Sequence, residues 1–298
     1  MSLLHFFLSL LFAPLLVGII NRTKSVFAGR NGPPLLQLYY DLAKLLRKGA
    51  VYSQVTTWIF RAGPLVSLAA VMAALTLIPL AGSPAALSFA GDIILFAYLL
   101  GLARFFTVVA ALDTGSSFEG MGASREVQFA ALAEPALFLG LVALVQQTGQ
   151  LSLTAIYQNL PLGLEHQVGL VLVAAAWIIV LLAENSRLPV DDPNTHLELT
   201  MIHEVMVLDH GGPDFAFILY AAALKLWLLG ALLVNLVLPF CPSQSWIAGP
   251  AFLLGMGVLA ILIGVVESTM ARLRLNKVPH LLVGAGALAA LSAVFTLR

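Results

Sequence analysis

Residues 168–209 read VGLVLVAAAWIIVLLAENSRLPVDDPNTHLELTMIHEVMVLD. The first part, Val168–Ala183, is an unbroken apolar run, and with its flanks it approaches the ~20 residues a helix needs to cross a bilayer. The second part, Glu184–Asp209, gathers Glu184, Asp191, Asp192, Glu198, Glu204 and Asp209 with Arg187, His196 and His203; His210 follows directly, before Gly211-Gly212-Pro213 closes the stretch. Elsewhere charge is scarce. Asp, Glu, Lys and Arg make up 10% of the 298 residues against 60% hydrophobic, and the mean hydropathy is +0.97. A water-soluble core needs no such apolar excess, so the chain is read as a polytopic membrane protein. An acidic loop this dense does more than anchor its neighbours in lipid.

Outward from that stretch, apolar runs of near-spanning length cover roughly 2–20, 63–82, 90–112, 128–147, 167–184, 214–239, 246–268 and 279–297. No strand-period alternation competes with them. Only helices satisfy their own backbone within lipid in such a bundle, so the expected fold is all-α: one integral-membrane domain, 1–298, of about eight transmembrane helices plus amphipathic helices at the cytoplasmic surface. The N-terminus, MSLLHFFLSL, has no basic leader and reads as a retained first span. Orientation follows from Lys and Arg. Arg22, Lys24, Arg30, Lys44, Arg47, Lys48 and Arg61 lie between spans one and two, Arg125 between three and four, Arg187 between five and six, and Arg272, Arg274 and Lys277 between seven and eight. The alternate loops, 83–89, 148–166 and 240–245, have none. Both termini are therefore expected outside, with cytoplasmic loops near 21–62, 113–127, 184–213 and 269–278.

In the first of these loops, Leu35, Leu38, Tyr39, Leu42, Leu45 and Leu46 recur at helical spacing, with Asp41 and Lys44 largely on other faces. That pattern predicts an amphipathic helix along the membrane surface. In the central loop, Pro189 and Pro193 predict an extended turn around Val190-Asp191-Asp192. A helix is then expected from 193–196 to about 209, with Thr195 and Glu198 as a capping box and His196, His203 and His210 seven apart on one drifting face. Seven helical residues rise about 10.5 Å, too far for two of these histidines to share an ion, and no metal site is expected. DTGSSFEGMGASRE, 113–126, reads as a flexible small-residue loop, and Gly120-Met121-Gly122 lacks the strand and third glycine of a nucleotide loop.

Ionisable residues inside or at the ends of spans are Arg104, Glu134, Glu184, Lys225 and Glu267. An unpaired charge at mid-bilayer costs ~2.5–3.5 kcal/mol on insertion scales and should face the bundle interior. Charges of both signs suggest a buried polar path, with static interhelical pairing as the other reading; Glu267 reads as a residue that snorkels. One cysteine, Cys241, can neither close an intrachain disulfide nor ligate an iron–sulfur cluster, so any redox metal belongs to a partner. Zero net charge gives no argument for nucleic acid.

Together these stretches resemble the membrane subunit that respiratory complex I shares with the energy-converting [NiFe] hydrogenases. GRNGPPLLQLYYDLAKLLRKG is similar to the family's first loop, RxGP followed by LLQxxxDxxKL, and ENSRLPVDDPNTHLEL to its signature loop, ExNRxPFDxxExExEL. Arg125 and Glu134 keep the family's spacing into the fourth span. ARFF, LDTGSSFEGMGASRE and ESTMARLRL resemble the formate hydrogenlyase and hydrogenase-4 branch, as does Lys225 in place of an acidic residue. The signature loop departs from the pattern: Asn194 and His196 replace two glutamates, Val190 a phenylalanine, and Met206-Val207 a Glu-Tyr pair, while Glu198 is kept and Glu204 stands two positions earlier.

The resemblance implies a non-catalytic anchor and coupling subunit in a bacterial or archaeal cytoplasmic membrane. Its cytoplasmic loops would dock a [NiFe] large-subunit-like protein and a small iron–sulfur subunit, and antiporter-like membrane subunits would move protons or sodium. No cofactor is expected in this chain; the [NiFe] centre and iron–sulfur clusters would sit on the partners, and quinone is admitted but not favoured. Glu134, Glu184, Asp191, Asp192, Glu198 and Glu204 are the expected acidic relay, continued by Arg104 and Lys225 and tuned by Arg125 and Arg187. Asp113, Arg30, Asp41 and Lys44 join the expected interface. The alternatives are a quinone-binding membrane subunit of a complex I (NADH:quinone oxidoreductase) and, in another class, a secondary transporter, for which no inverted repeat is seen.

Overall fold

The computed structural model describes residues 2–161, 164–191, 201–238 and 245–296. Ten α-helices follow in order: α1 Ser2–Phe27, α2 Gln37–Leu46, α3 Trp58–Leu75, α4 Asp92–Asp113, α5 Ser117–Thr148, α6 Leu153–Gln158, α7 Leu164–Glu184, α8 Gly212–Val237, α9 Ser245–Thr269 and α10 Val278–Thr296. Short 3₁₀ turns at Glu204–Val207 and Leu275–Lys277 precede α8 and α10. Among the described residues there is no strand, and eight helices are long and apolar enough to cross a membrane. All eight expected spans are present.

α8 is the spine. Every residue from Leu226 to Leu236 is buried, as expected of a helix that is apolar all round and sits inside its bundle. It packs against α1, α3, α7 and α9, while α4 bridges α3 to α5, and α5 and α7 share α10. The core runs continuously through these helices, with Phe96, Trp177, Trp227 and Phe252 among its large side chains.

One end of the bundle collects the basic loops and is tied across them. Asp113, at the end of α4, accepts from the Thr57 amide at 2.7 Å and from its hydroxyl, fixing the start of α3. The Leu273 amide donates to the Pro189 carbonyl at 2.9 Å. At Gly212, φ is +55° and a Cβ would lie 2.7 Å from the Gly49 carbonyl oxygen, so only glycine lets α8 start against the first loop. The opposite end is tied by Asp92, which accepts from the Ser152 hydroxyl and the Leu153 amide, and by Asn235, which bonds Ala81 and Pro79.

Three local expectations are corrected. α5 begins at Ser117, so most of the loop expected at 113–127 is helix and the connection is Thr114-Gly115-Ser116. At 32 residues, α5 is about 48 Å long and overhangs a ~30 Å hydrocarbon core by roughly 18 Å. Gly122 explains why this glycine-bearing segment stays helical: a Cβ there would clash with Val205 and lie 2.9 Å from the Ile202 carbonyl oxygen, so the gap is filled by the returning central loop. Second, the helix expected to reach about 209 is, over 201–209, a single 3₁₀ turn seated on α5; Asp192, Pro193, Asn194, Thr195, His196 and Glu198 lie outside the described residues. Third, Arg187–Val190 form a closed turn, with the Val190 amide 2.9 Å from the Arg187 carbonyl, where an extended one was expected. Val190 is buried against Phe129, Ala133 and Ile202. The surface helix is α2, shorter than its sequence pattern, and its Tyr39 hydroxyl donates to the Leu11 carbonyl of α1.

Candidate functional site: a buried charge cluster beneath a cavity

Four helices converge on Arg104. From α4 its guanidinium contacts Glu134 of α5 and Glu184 of α7, both as short contacts, and lies 3.4 Å from Glu126 of α5. Lys225 of α8 closes the group 2.7 Å from the same Glu184 carboxylate. Glu184 ends α7, where a negative charge meets the negative pole of the helix. Two cations on one carboxylate offset that penalty and the loss of hydration. The helix ends there because Ser186 takes φ +49° and the Arg187 amide turns back to the Leu182 carbonyl at 2.8 Å. Two cations and three carboxylates sum to −1 when all are ionised. A cavity of about 80 Å³ lies against the cluster, reached by Ser67, Thr107 and His203 among others. By that measure a water needs ~10–15 Å³, so several fit.

Towards the basic end lies a larger cavity of about 620 Å³. Val17, Leu38, Phe215, Leu219 and Leu226 form its apolar wall; Asp41, Arg187, Asp191, His203, Glu204 and His210 form its polar one. Charges bracket it. Glu267 has a fully buried side chain between Lys24 at 2.8 Å and Arg187 at 3.4 Å, so the expectation that it snorkels is corrected. Asp191 takes Arg272 at 2.7 Å and accepts from the Ile202 and His203 amides at 3.3 and 3.4 Å. Arg125 donates to the Met201 carbonyl at 2.9 Å. Asp191 and Arg125 thus hold the segment of chain that carries His203 and Glu204.

The two histidines of this segment differ. His210 stacks on Phe60, ring centroids 3.9 Å apart and nearly parallel; burial holds it below the usual imidazole pKa, against upward pulls from Asp214 and Asp209. Burial also lowers His203, with Glu126 and Asp191 pulling upward and Lys225 and Arg104 downward. Among the described residues no group of three or more His, Cys, Asp or Glu could hold a metal ion.

Of the residues chosen from sequence, Arg104, Glu134, Glu184 and Lys225 meet in one cluster, and Asp41, Arg187, Asp191 and Glu204 line the larger cavity. Asp113 and Arg125 make the ties given above. Arg30 and Lys44 are exposed and join neither cavity, and Asp192 and Glu198 are outside the described residues. Sequence reading missed Glu126, Glu119, Lys24 and Arg272 as site members. Glu119 is buried and accepts from the Asp209 amide at 3.1 Å. Glu126 lies seven residues before buried Ala133 on one helix face, a signal available once α5 is extended backward. The other pairings join residues far apart in sequence.

Eight spans in an all-α bundle, a many-membered charge cluster inside it and a cavity at its basic end define a polytopic membrane protein with a polar interior. A family model described as NADH dehydrogenase matches residues 1–297. The chain belongs to that family of complex I-like membrane subunits. Formate hydrogenlyase subunit 4 of Escherichia coli (strain K12) is 32% identical over 276 residues, covering 90% of this chain and 89% of the relative. Hydrogenase-4 component C of the same organism is 30% identical over 294 residues, covering 97% and 92%. A chain in the structure of the membrane-bound sulfane sulfur reductase, an archaeal respiratory membrane complex, superposes with a TM-score of 0.85 at 22% identity, covering 99% of this chain and 98% of that one. Its likeness concerns the fold.

Proposed function

We propose that the chain is the membrane anchor and coupling subunit of a group 4 [NiFe]-hydrogenase-like complex of the formate hydrogenlyase and hydrogenase-4 type. It docks a hydrophilic redox arm at its basic end and links electron transfer to proton or sodium translocation through antiporter-like neighbours. The observation that carries this reading is the Arg104–Glu126–Glu134–Glu184–Lys225 cluster, because charges held inside a membrane helix bundle mark an ion path by default. The positive-inside pattern supports a cytoplasmic basic end in a bacterial or archaeal membrane, with both termini outside. Exposed Val51, Val55, Trp58 and Leu208 at that end supply apolar docking surface. With one cysteine the chain's donor set does not fit a [NiFe] centre or an iron–sulfur cluster, so those groups belong to the arm.

Affinity purification in mild detergent, followed by mass spectrometry and metal analysis, tests the assignment. Nickel and iron, with a large subunit carrying paired CxxC motifs, are expected. Iron without nickel, with a flavin- or quinone-linked partner, overturns the hydrogenase-type reading. The larger cavity favours one second reading, a quinone-binding membrane subunit of a complex I. Its apolar wall opposite a polar one suits an amphiphile of quinone type, and a quinone-site inhibitor that blocks turnover supports that alternative.

A further inference from the structure

The two cavities are neighbours that share a wall. Asn185, Ser186, His203, Ile218 and Ala222 line both, and His203 is the titratable residue among the five. We infer that His203 passes protons between the larger cavity and the buried charge cluster, as a gate residue that the sequence motifs do not mark.

Imidazole suits this position because it accepts a proton on one ring nitrogen and releases another from the second near neutral pH. Water in the larger cavity delivers a proton to His203. The imidazolium then releases its other ring proton to the Glu126 carboxylate through water in the smaller cavity. One proton enters, one leaves, and a ring flip or tautomer exchange resets the residue. The titratable groups that line the two cavities with His203 are Arg104 on α4, Glu126 on α5, Glu184 on α7, Lys225 on α8, Asp41 on α2, and Arg187, Asp191, Glu204 and His210 from the central loop. Cations and carboxylates oppose one another there, so burial decides the resting state. Burial holds the imidazole below its usual pKa, which favours the neutral ring at rest. His203 is placed firmly for this role, since its own amide bonds Asp191 and the next turn packs on Gly122. His203 itself is the residue that opens the 3₁₀ turn at Glu204–Val207.

This inference rests on the coupling function proposed above. The test is made on the assembled complex in inverted membrane vesicles, with electron transfer and ion translocation measured separately across pH. His203→Gln keeps a polar side chain of similar length but cannot carry a proton. Translocation is expected to fall about a hundredfold, the low end of what losing a proton-transfer group does, while electron transfer to an artificial acceptor stays within about twofold. The acid limb of the translocation profile should disappear with the imidazole. Full translocation with an unchanged pH profile in His203→Gln, alongside loss in Glu134→Gln, overturns the His203 assignment and leaves the coupling reading standing. Full translocation in both overturns both. If His203→Gln does not assemble, the parent complex is treated with diethyl pyrocarbonate and the modified histidines are mapped by mass spectrometry. Translocation lost in step with His203 modification supports the gate, and translocation retained after complete His203 modification overturns it.

Discussion

Lys225→Met offers the most quantitative test of the buried cluster. Met keeps the unbranched shape of Lys on the central helix α8 and removes only the charge. In the parent, Glu184 lies 2.7 Å from Lys225 and also contacts Arg104. At that separation and an effective dielectric near 20, the gross attraction is about 6 kcal/mol, and desolvation of the two ions returns much of it. Removing one member of a buried pair typically destabilises by ~3–5 kcal/mol because the other charge stays buried. Here Arg104 absorbs part of the loss, which places the expectation at the low end, about 3 kcal/mol. The charge of the cluster moves from −1 to −2, so a second substitution, Glu134→Gln, should restore −1. The double variant should then recover about 1–2 kcal/mol, a coupling typical of residues in one network. Steric-trap unfolding of the chain in bicelles measures all four members of the cycle. Additive effects, or a Lys225→Met variant as stable as the parent, would refute the account of Glu184 as a carboxylate that depends on both cations.

Gly122→Ala should destabilise the seating of the 201–207 segment by about 1–3 kcal/mol, the range for overpacking, because the new methyl lies 2.9 Å from the Ile202 carbonyl oxygen; hydrogen exchange at Ile202–Val207 should speed up while that of α8 stays fixed. Burial, with its ring stacked on Phe60, holds His210 below the usual imidazole pKa. A lowered folded pKa means its contribution is fully present above the unfolded value of about 6.5 and is lost as pH falls through the folded one. Thermal stability should therefore drop on acidification below that value, and His210→Phe should flatten the drop. Arg272→Met removes the 2.7 Å partner of Asp191 and should loosen the same 201–207 segment; unchanged exchange there would show that the segment is held without Arg272.

The spans were legible because each is a long apolar run, and the basic end because Lys and Arg avoid alternate loops. α2 was legible from its leucine spacing. The start of α5 was hidden for a physical reason. Gly120, Gly122 and three serines lower helix propensity between 115 and 125, and tertiary packing of the central loop into the space beside Gly122 overrides that local preference. The same packing replaces the expected helix by a 3₁₀ turn at Glu204–Val207. Four members of the central cluster could be nominated because charge inside an apolar run stands out, as Arg104 and Lys225 do. Glu126 could not, since it was read as belonging to a loop. Lys24 and Glu267 are separated by most of the chain, and no local pattern announces such a pair. His203 drew notice only for its spacing from other histidines, whereas its position between two cavities comes from the turn at Arg187–Val190 and the seating on α5.

We propose that the charge cluster couples electron transfer to ion movement. Ions translocated per electron pair in vesicles carrying the assembled Glu134→Gln complex test it most directly. The account predicts intact assembly, near-parental electron transfer and a sharply lowered ratio. A parental ratio in the assembled variant, or loss of assembly itself, would contradict it and leave the cluster as static glue between helices.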